Sequence, residues 1–236
     1  MDEQSAFSTP SHGFNKSADP LANEPAVGSI RDLWSYERTL EAEGLTPIAG
    51  VDEAGRGPLA GPVVAACAII PFHFCLDGIN DSKQLTAKQR EQSYERLIAS
   101  ETLYAIGIVD SDEIDRINIL KATHIAMHRA VTAMTVTPLA LLIDGLPVPT
   151  MSSCRHVALV GGDALSASIA AASILAKVTR DRLMCEYAAI FPQYGFDQHK
   201  GYGSAHHLKA LRKHGPCPIH RRSFSPISTM VRPSLL

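Results

Sequence analysis

An α/β fold, with strands and helices alternating about one sheet, is predicted by three features of this 236-residue sequence. Apolar and β-branched runs of strand length recur along the chain. Stretches with apolar residues at helical spacing separate them. One run, Leu139 to Asp144, is continuously apolar, as a strand buried on both faces by helices should be. With 45% hydrophobic and 19% charged residues, the chain is too apolar for wholesale disorder and can bury a core.

The elements follow in order. Residues 1–30, rich in Ser, Pro, Asn and Ala, read as a disordered leader. MDEQSAFSTP lacks the basic flank and apolar core of a secretory signal, so a cytoplasmic location is expected. Asp32 to Glu43 sets Leu33, Tyr36 and Leu40 at helical spacing and stops at Gly44, which predicts a short lead-in helix before a globular part starting near Pro47. Ile48 to Glu53 and Val63 to Ile70, separated by a Gly and Pro cluster, predict two paired strands joined by a broad turn. Thr86 and Gln89 form a capping box that opens a helix with a buried stripe of Tyr94, Leu97 and Ile98. A strand over Thr102 to Val109, a helix over Ile119 to Met134, the strand ending at Asp144 and a strand over His156 to Val160 come next. A long helix runs from about Ser166 to Ala189, its Ala170, Ala171 and Ala172 permitting close packing. The last helix is capped by Ser204 and stopped by Gly215. One domain over 31–225 is expected, closing with a basic helical segment from about 190, and 226–236 read as a flexible tail.

Several function classes are excluded. The longest apolar stretch, Val63 to Leu76, is broken by Pro71 and His73 and falls short of the ~18 residues of a membrane span. Five cysteines without a CxxC pair read as reduced packing residues rather than zinc ligands. Gly55, Gly57 and Ala60 fit a relaxed GxGxxA pattern, but a strand follows them where a dinucleotide site needs a helix. No GK[ST] or GxSxG motif is present.

Charge is unevenly spread. The 22 basic and 24 acidic residues leave −2, yet Asp197 is the last acid. Beyond it Lys200, Lys209, Arg212, Lys213, Arg221, Arg222 and Arg232 carry +7, against −9 for residues 1–197. Five of the ten histidines share this tail. It reads either as a polyanion-binding surface or as a solvated basic helix.

Carboxylates stand at costly places. Asp52 and Glu53 end one apolar strand, Asp144 ends LALLID, and Asp163 follows HVALVGG. Ligands of α/β sheets collect beyond the carboxyl ends of strands, so these acids can converge. Hard oxygen donors without His or Cys pairs suit Mg²⁺ or Mn²⁺, and paired ions of that kind serve phosphoryl transfer. Two of the acids also have a local alternative: Asp144 a turn before Gly145, Asp163 a helix cap. Adjacent strand residues face opposite ways, so Asp52 and Glu53 share a site only if the strand distorts before Gly55.

From Pro47 to Ser225 the chain resembles the bacterial ribonuclease HII family, the type 2 ribonucleases H. The resemblance is carried by DEAGRGPLAGPV at Asp52 to Val63, DSKQL at Asp81 to Leu85, LIDG at Leu142 to Gly145 and GD at Gly162 to Asp163. SIAAASILAKVTRD at Ser168 to Asp181, HKGYGS at His199 to Ser204 and HRRSF at His220 to Phe224 complete it. It implies a ribonuclease H-like mixed sheet flanked by helices. The implied enzyme is a metal-dependent endonuclease, cutting the RNA strand of RNA/DNA hybrids and single ribonucleotides embedded in duplex DNA to leave 3′-hydroxyl and 5′-phosphate ends. It is expected to work as a monomer, away from membranes, with two Mn²⁺ or Mg²⁺ ions.

By motif, Asp52, Glu53, Asp144 and Asp163 resemble the family's metal-binding acids, with Asp52 bridging two ions. Gly55, Arg56 and Gly57 resemble the segment that meets the ribonucleotide 2′-hydroxyl, and Tyr202 the tyrosine that reads the sugar. Lys83, Lys177, Arg180 and His207 complete the substrate-binding set, although Lys177 and Arg180 can equally pair with Asp181 or Glu186. Ser204 replaces the family's usual threonine, and Gly161 stands where a lysine often precedes GD. The competing readings are a junction resolvase, which would share the acids without needing Tyr202, and a hybrid-binding module that no longer cuts.

Overall fold

The computed structural model describes residues 32–79, 85–149 and 154–231. The expected leader and Lys83 lie outside these described residues. Five strands, β1 (Ile48–Ala54), β2 (Val63–Ile69), β3 (Leu103–Val109), β4 (Ala140–Asp144) and β5 (Arg155–Leu159), form one sheet in the order β3-β2-β1-β4-β5. β2 runs antiparallel to β1 and β3, whereas β4 runs parallel to β1 and β5. The sheet is mixed, as the resemblance implies, with β1 at its centre. Val51 pairs with Ile143, so one further step along both strands sets Asp52 beside Asp144.

Alternation along β1 sends Ala49 and Val51 to one face and Gly50 and Asp52 to the other. The first face is covered by α3 (Ser111–Ile117) and α4 (Ile119–Thr132), whose Ile114, Ala122, Ala126 and Met127 pack with Val51, Ala65 and Cys67. On the second lies α5 (Ala167–Ile190), where Ala170, Ala171 and Ile174 pack with Ala66 and Ala68. A Cβ on Gly50 would lie 2.0 Å from the carbonyl carbon of Ser168, so the helix backbone rests directly on the central strand.

α5 opens at Ser166, whose Oγ accepts from the Ile169 N–H at 3.2 Å. Its first turn also holds α1 (Ser35–Ala42): Glu37 Oε1 accepts from Ser166 Oγ at 2.6 Å and from the Ser168 N–H at 2.9 Å. Glu37 and Leu40 are buried, so the packed chain begins at α1 rather than near Pro47. A polar anchor of this kind leaves no periodic trace in the sequence.

α2 (Ala87–Ile98) carries the expected capping box. Its buried stripe is Ser93, Tyr94 and Leu97, while Ile98 faces outward. The unforeseen α3 is capped by Asp110, which accepts from the Glu113 N–H at 2.8 Å. With two isoleucines in seven residues it has too little apolar pattern to register. α4 stops at Thr132, two residues before the expected end, and β5 stops before the exposed Val160.

Beyond α5 come α6 (Phe196–His199), α7 (Ala205–His214) and α8 (Ile227–Met230). They gather Leu59, Met184, Tyr194, Phe196, Leu211 and Ile227 into a separate apolar cluster. Ser204 caps α7 and Gly215 ends it, as expected. Ile227 is fully buried, so packing continues past the expected start of a flexible tail at 226. Cys67 and Cys217 are buried, but Cys75 and Cys185 are exposed rather than packed in the core. Among the described residues no helix is long and apolar enough to cross a membrane.

Candidate active site

β1 and β4 end side by side, and a recess of about 200 Å³ opens there, lined by Asp52, Glu53, Gly55, Arg90, Asp144, Ser173, Lys177 and Tyr202. Asp52 and Glu53 share it without the strand distortion expected for them. β1 stays in regular register with β2 through Glu53 and Ala54. Since β4 ends at Asp144, no strand flanks Glu53 on that side, and both faces of β1 open into one space.

Asp52 is almost wholly buried and held by short contacts. Its Oδ1 accepts from the Glu53 N–H at 2.6 Å. Burial pushes its pKa well above the usual aspartate range, and the neighbouring Glu53 and Asp144 carboxylates push it further, against the Ser173 hydroxyl hydrogen bond. Glu53 is also raised by burial, opposed by Arg56, whose Nη1 donates to Oε1 at 3.2 Å. Asp144 Oδ1 accepts from the Gly162 N–H at 2.7 Å, which ties the end of β4 to the turn Gly162–Ala164. Asp163 is buried in that turn and is the one expected acid that does not line the recess.

Such a site accumulates negative charge wherever its protons leave, and a divalent cation relieves that charge. Among the described residues no three His, Cys, Asp or Glu side chains already stand together so as to hold an ion among themselves. An open, all-carboxylate site fits a Mg²⁺-class ion, which keeps several waters and takes the rest of its shell from substrate phosphates.

Around the acids stand cations and an aromatic ring. Lys177 donates from Nζ to Asp181 Oδ1 at 2.8 Å and lies 6.0 Å from the centre of the Tyr202 ring. Lys177 therefore pairs with Asp181, as one reading expected, and also lines the recess. The Tyr202 ring is 46% exposed and borders Gly57, where a Cβ would sit 3.7 Å from Cε1. Arg90 and Ser173 were not foreseen. Ser173 falls about one and two-thirds turns beyond the helix start, on the face of α5 turned to β1, a placement that helical phase alone encodes.

Two expected contacts move away from substrate. Arg180 is fully buried and donates to the carbonyls of Pro62 at 2.9 Å, Lys200 at 3.0 Å and Ala60 at 3.1 Å. It binds the loop after β1 to the HKGYGS segment and presents nothing to a phosphate. Gly55, at φ +98°, leaves room for it, since a Cβ there would lie 2.1 Å from Arg180 Nε. His207 is likewise buried, with Nδ1 2.8 Å from the Tyr202 carbonyl. A basic residue near a motif looks the same in sequence whether it faces a ligand or a row of carbonyls.

A mixed sheet with this strand order, with acids where its central strand meets a parallel neighbour, defines a ribonuclease H-like hydrolase. The comparisons agree: the family model described as Ribonuclease HII matches residues 49–227. A Ribonuclease HII of Desulfitobacterium hafniense is 53% identical over 198 residues, 84% of this chain and 76% of that protein. The crystal structure of the ribonuclease H2 from Pyrococcus horikoshii superposes with a TM-score of 0.64 at 29% identity, covering 78% of this chain and 96% of that one. Bst-RNase HIII, solved in complex with Mn²⁺, shares the fold at 19% identity and a TM-score of 0.57, covering 77% and 68%. The chain belongs to the ribonuclease HII family. It is an endoribonuclease that hydrolyses the RNA strand of RNA/DNA hybrids and cuts at ribonucleotides embedded in DNA.

Proposed function

We propose that this activity resides in the recess at the ends of β1 and β4, with Asp52, Glu53, Asp144 and Asp163 as the ion-holding acids. The observation that carries the reading is that three of these carboxylates share one recess with Tyr202 and Gly55. Asp163 is tied to the same corner through the Gly162–Asp144 hydrogen bond. Two Mg²⁺ or Mn²⁺ ions held there would supply activation of the attacking water and neutralisation of the leaving oxygen. Mn²⁺ is the ion that Bst-RNase HIII carries.

The chain's own groups place the substrate. Asp52, adjoining both Glu53 and Asp144, is suited to the bridging position. Lys177 and Arg90 bring positive charge to the rim for phosphates. The Gly55–Arg56–Gly57 backbone meets the sugar, with close approach allowed by the missing side chain of Gly57 beside Tyr202, and Tyr202 packs against the same nucleotide. Water adds to phosphorus and the bond to the 3′-oxygen breaks, leaving 3′-hydroxyl and 5′-phosphate ends with no covalent protein intermediate. The test is cleavage of a labelled DNA duplex containing one ribonucleotide, with Mg²⁺ or with EDTA. Wild type cuts in Mg²⁺ alone, and Asp52→Asn loses at least about a hundredfold in rate, or ~2.7 kcal/mol, while remaining folded. Near wild-type cutting by Asp52→Asn would remove the assignment.

A further inference from the structure

His220 and Arg221 are adjacent and buried, and each reaches a different one of the two segments assigned to the sugar. Arg221 donates from Nη2 to the Gly55 carbonyl at 2.5 Å, from Nη1 to the Arg56 carbonyl at 2.9 Å and from Nε to the Gly61 carbonyl at 3.0 Å. In a trans peptide the C=O and N–H point opposite ways. Anchoring the Gly55 and Arg56 carbonyls on Arg221 therefore turns the Arg56 and Gly57 N–H groups away from the guanidinium, as donors free for a hydroxyl.

His220 reaches Tyr202 through His207, and the ends of this chain fix its direction. The Cys217 N–H can only donate, so His220 Nδ1 accepts it at 2.9 Å and the ring proton sits on Nε2. The Tyr202 carbonyl can only accept, so His207 carries its proton on Nδ1, 2.8 Å away. His207 Nε2 is left as an acceptor, and it meets His220 Nε2–H at 2.9 Å. All four ring nitrogens are used, with both rings neutral. His220 is itself bridged through its main chain to Ala60, within the loop that Arg221 holds.

We propose that His220, acting through His207, and Arg221 are positioning residues that set the spacing between the Gly55–Gly57 backbone and Tyr202, and that this spacing fixes the preference for a ribonucleotide in a DNA duplex. The proposal rests on the assignment of those two segments to the sugar. Neither side chain touches the substrate. A long hybrid offers ribose at every register and tolerates a misplaced Tyr202, whereas a single embedded ribonucleotide offers one.

The experiment compares single-turnover rates on the embedded ribonucleotide and on a long hybrid, with melting temperatures, for Arg221→Lys, His207→Leu, His207→Asn and Tyr202→Ala. Arg221→Lys replaces three donor nitrogens, set in a fixed fork, by a single ammonium nitrogen, and His207→Leu removes the donor to Tyr202. Both are expected to lower the rate ratio by at least about tenfold against the embedded ribonucleotide. His207→Asn, whose amide nitrogen can stand in for Nδ1–H, recovers most of that ratio. A purely structural role would slow both substrates alike in step with melting, with no rescue by Asn, and either result overturns the proposal. An unchanged ratio in Tyr202→Ala would overturn the sugar assignment and the proposal with it. A shifted ratio in Tyr202→Ala alone would overturn the positioning role and leave the assignment standing. Should Arg221→Lys fail to fold, the His207 pair decides.

Discussion

Burial and two neighbouring carboxylates keep a proton on Asp52 at pH values where an exposed aspartate has lost it. Because the folded pKa lies above the unfolded one, this group's stabilising contribution is complete in acid and is lost as pH rises through the raised value. An amide carries no such liability. In EDTA, Asp52→Asn is therefore expected to melt above wild type near pH 7–8, with the difference closing toward about pH 4. Each pH unit over which the wild-type proton is retained corresponds to about 1.4 kcal/mol. Melts across that range check this, and a mutant less stable than wild type in EDTA at neutral pH would contradict it. The gain in apo stability and the loss of activity come from one carboxylate.

At the level of elements, the anchor of α1 on α5 gives a graded expectation. Glu37→Ala leaves the buried Ser168 N–H and Ser166 hydroxyl without their acceptor, at a cost of about 1–3 kcal/mol in denaturant unfolding. Glu37→Gln keeps an acceptor oxygen in place and escapes the burial that raises the Glu37 pKa, so it costs less than about 1 kcal/mol. Equal losses would mean that α1 merely rests on the surface. The elements read most directly from sequence were those announced by local chemistry: the Thr86–Gln89 box, the Ser204 cap, and the apolar run into Asp144. The acids were legible because strand ends in such sheets gather ligands. What stayed hidden was direction. Arg180 and His207 turn inward to carbonyls, and Ser173 turns toward Asp52, through helical phase and long-range packing that no local pattern records.

Across the whole molecule charge and protonation act together. Lys209, Arg212 and Lys213 lie exposed on α7, in the part of the chain that carries the positive excess. Replacing all three by Gln should weaken binding to every duplex and reduce the slope of log K against log salt by roughly 0.9, on B-DNA, for each phosphate that is no longer neutralised. An unchanged slope in the folded variant would make α7 a solvated face. The buried histidines set an acid limit. Burial lowers His207 and His220 from 6.5 to about 4, so the stability they contribute is full above the unfolded value and is lost as pH falls through the folded one. From about pH 7 to about pH 4 the unfolding free energy of wild type should fall relative to that of His207→Asn by on the order of 1.4 kcal/mol per unit, a comparison in which the opposite contribution of Asp52 cancels. Finally, at Gly50 the backbone of α5 meets that of β1 with no side chain between them. The distance from strand to helix is thus a constant of the scaffold, and substitutions that leave Gly50 in place can exchange what α5 presents to the acids but not how far away it stands.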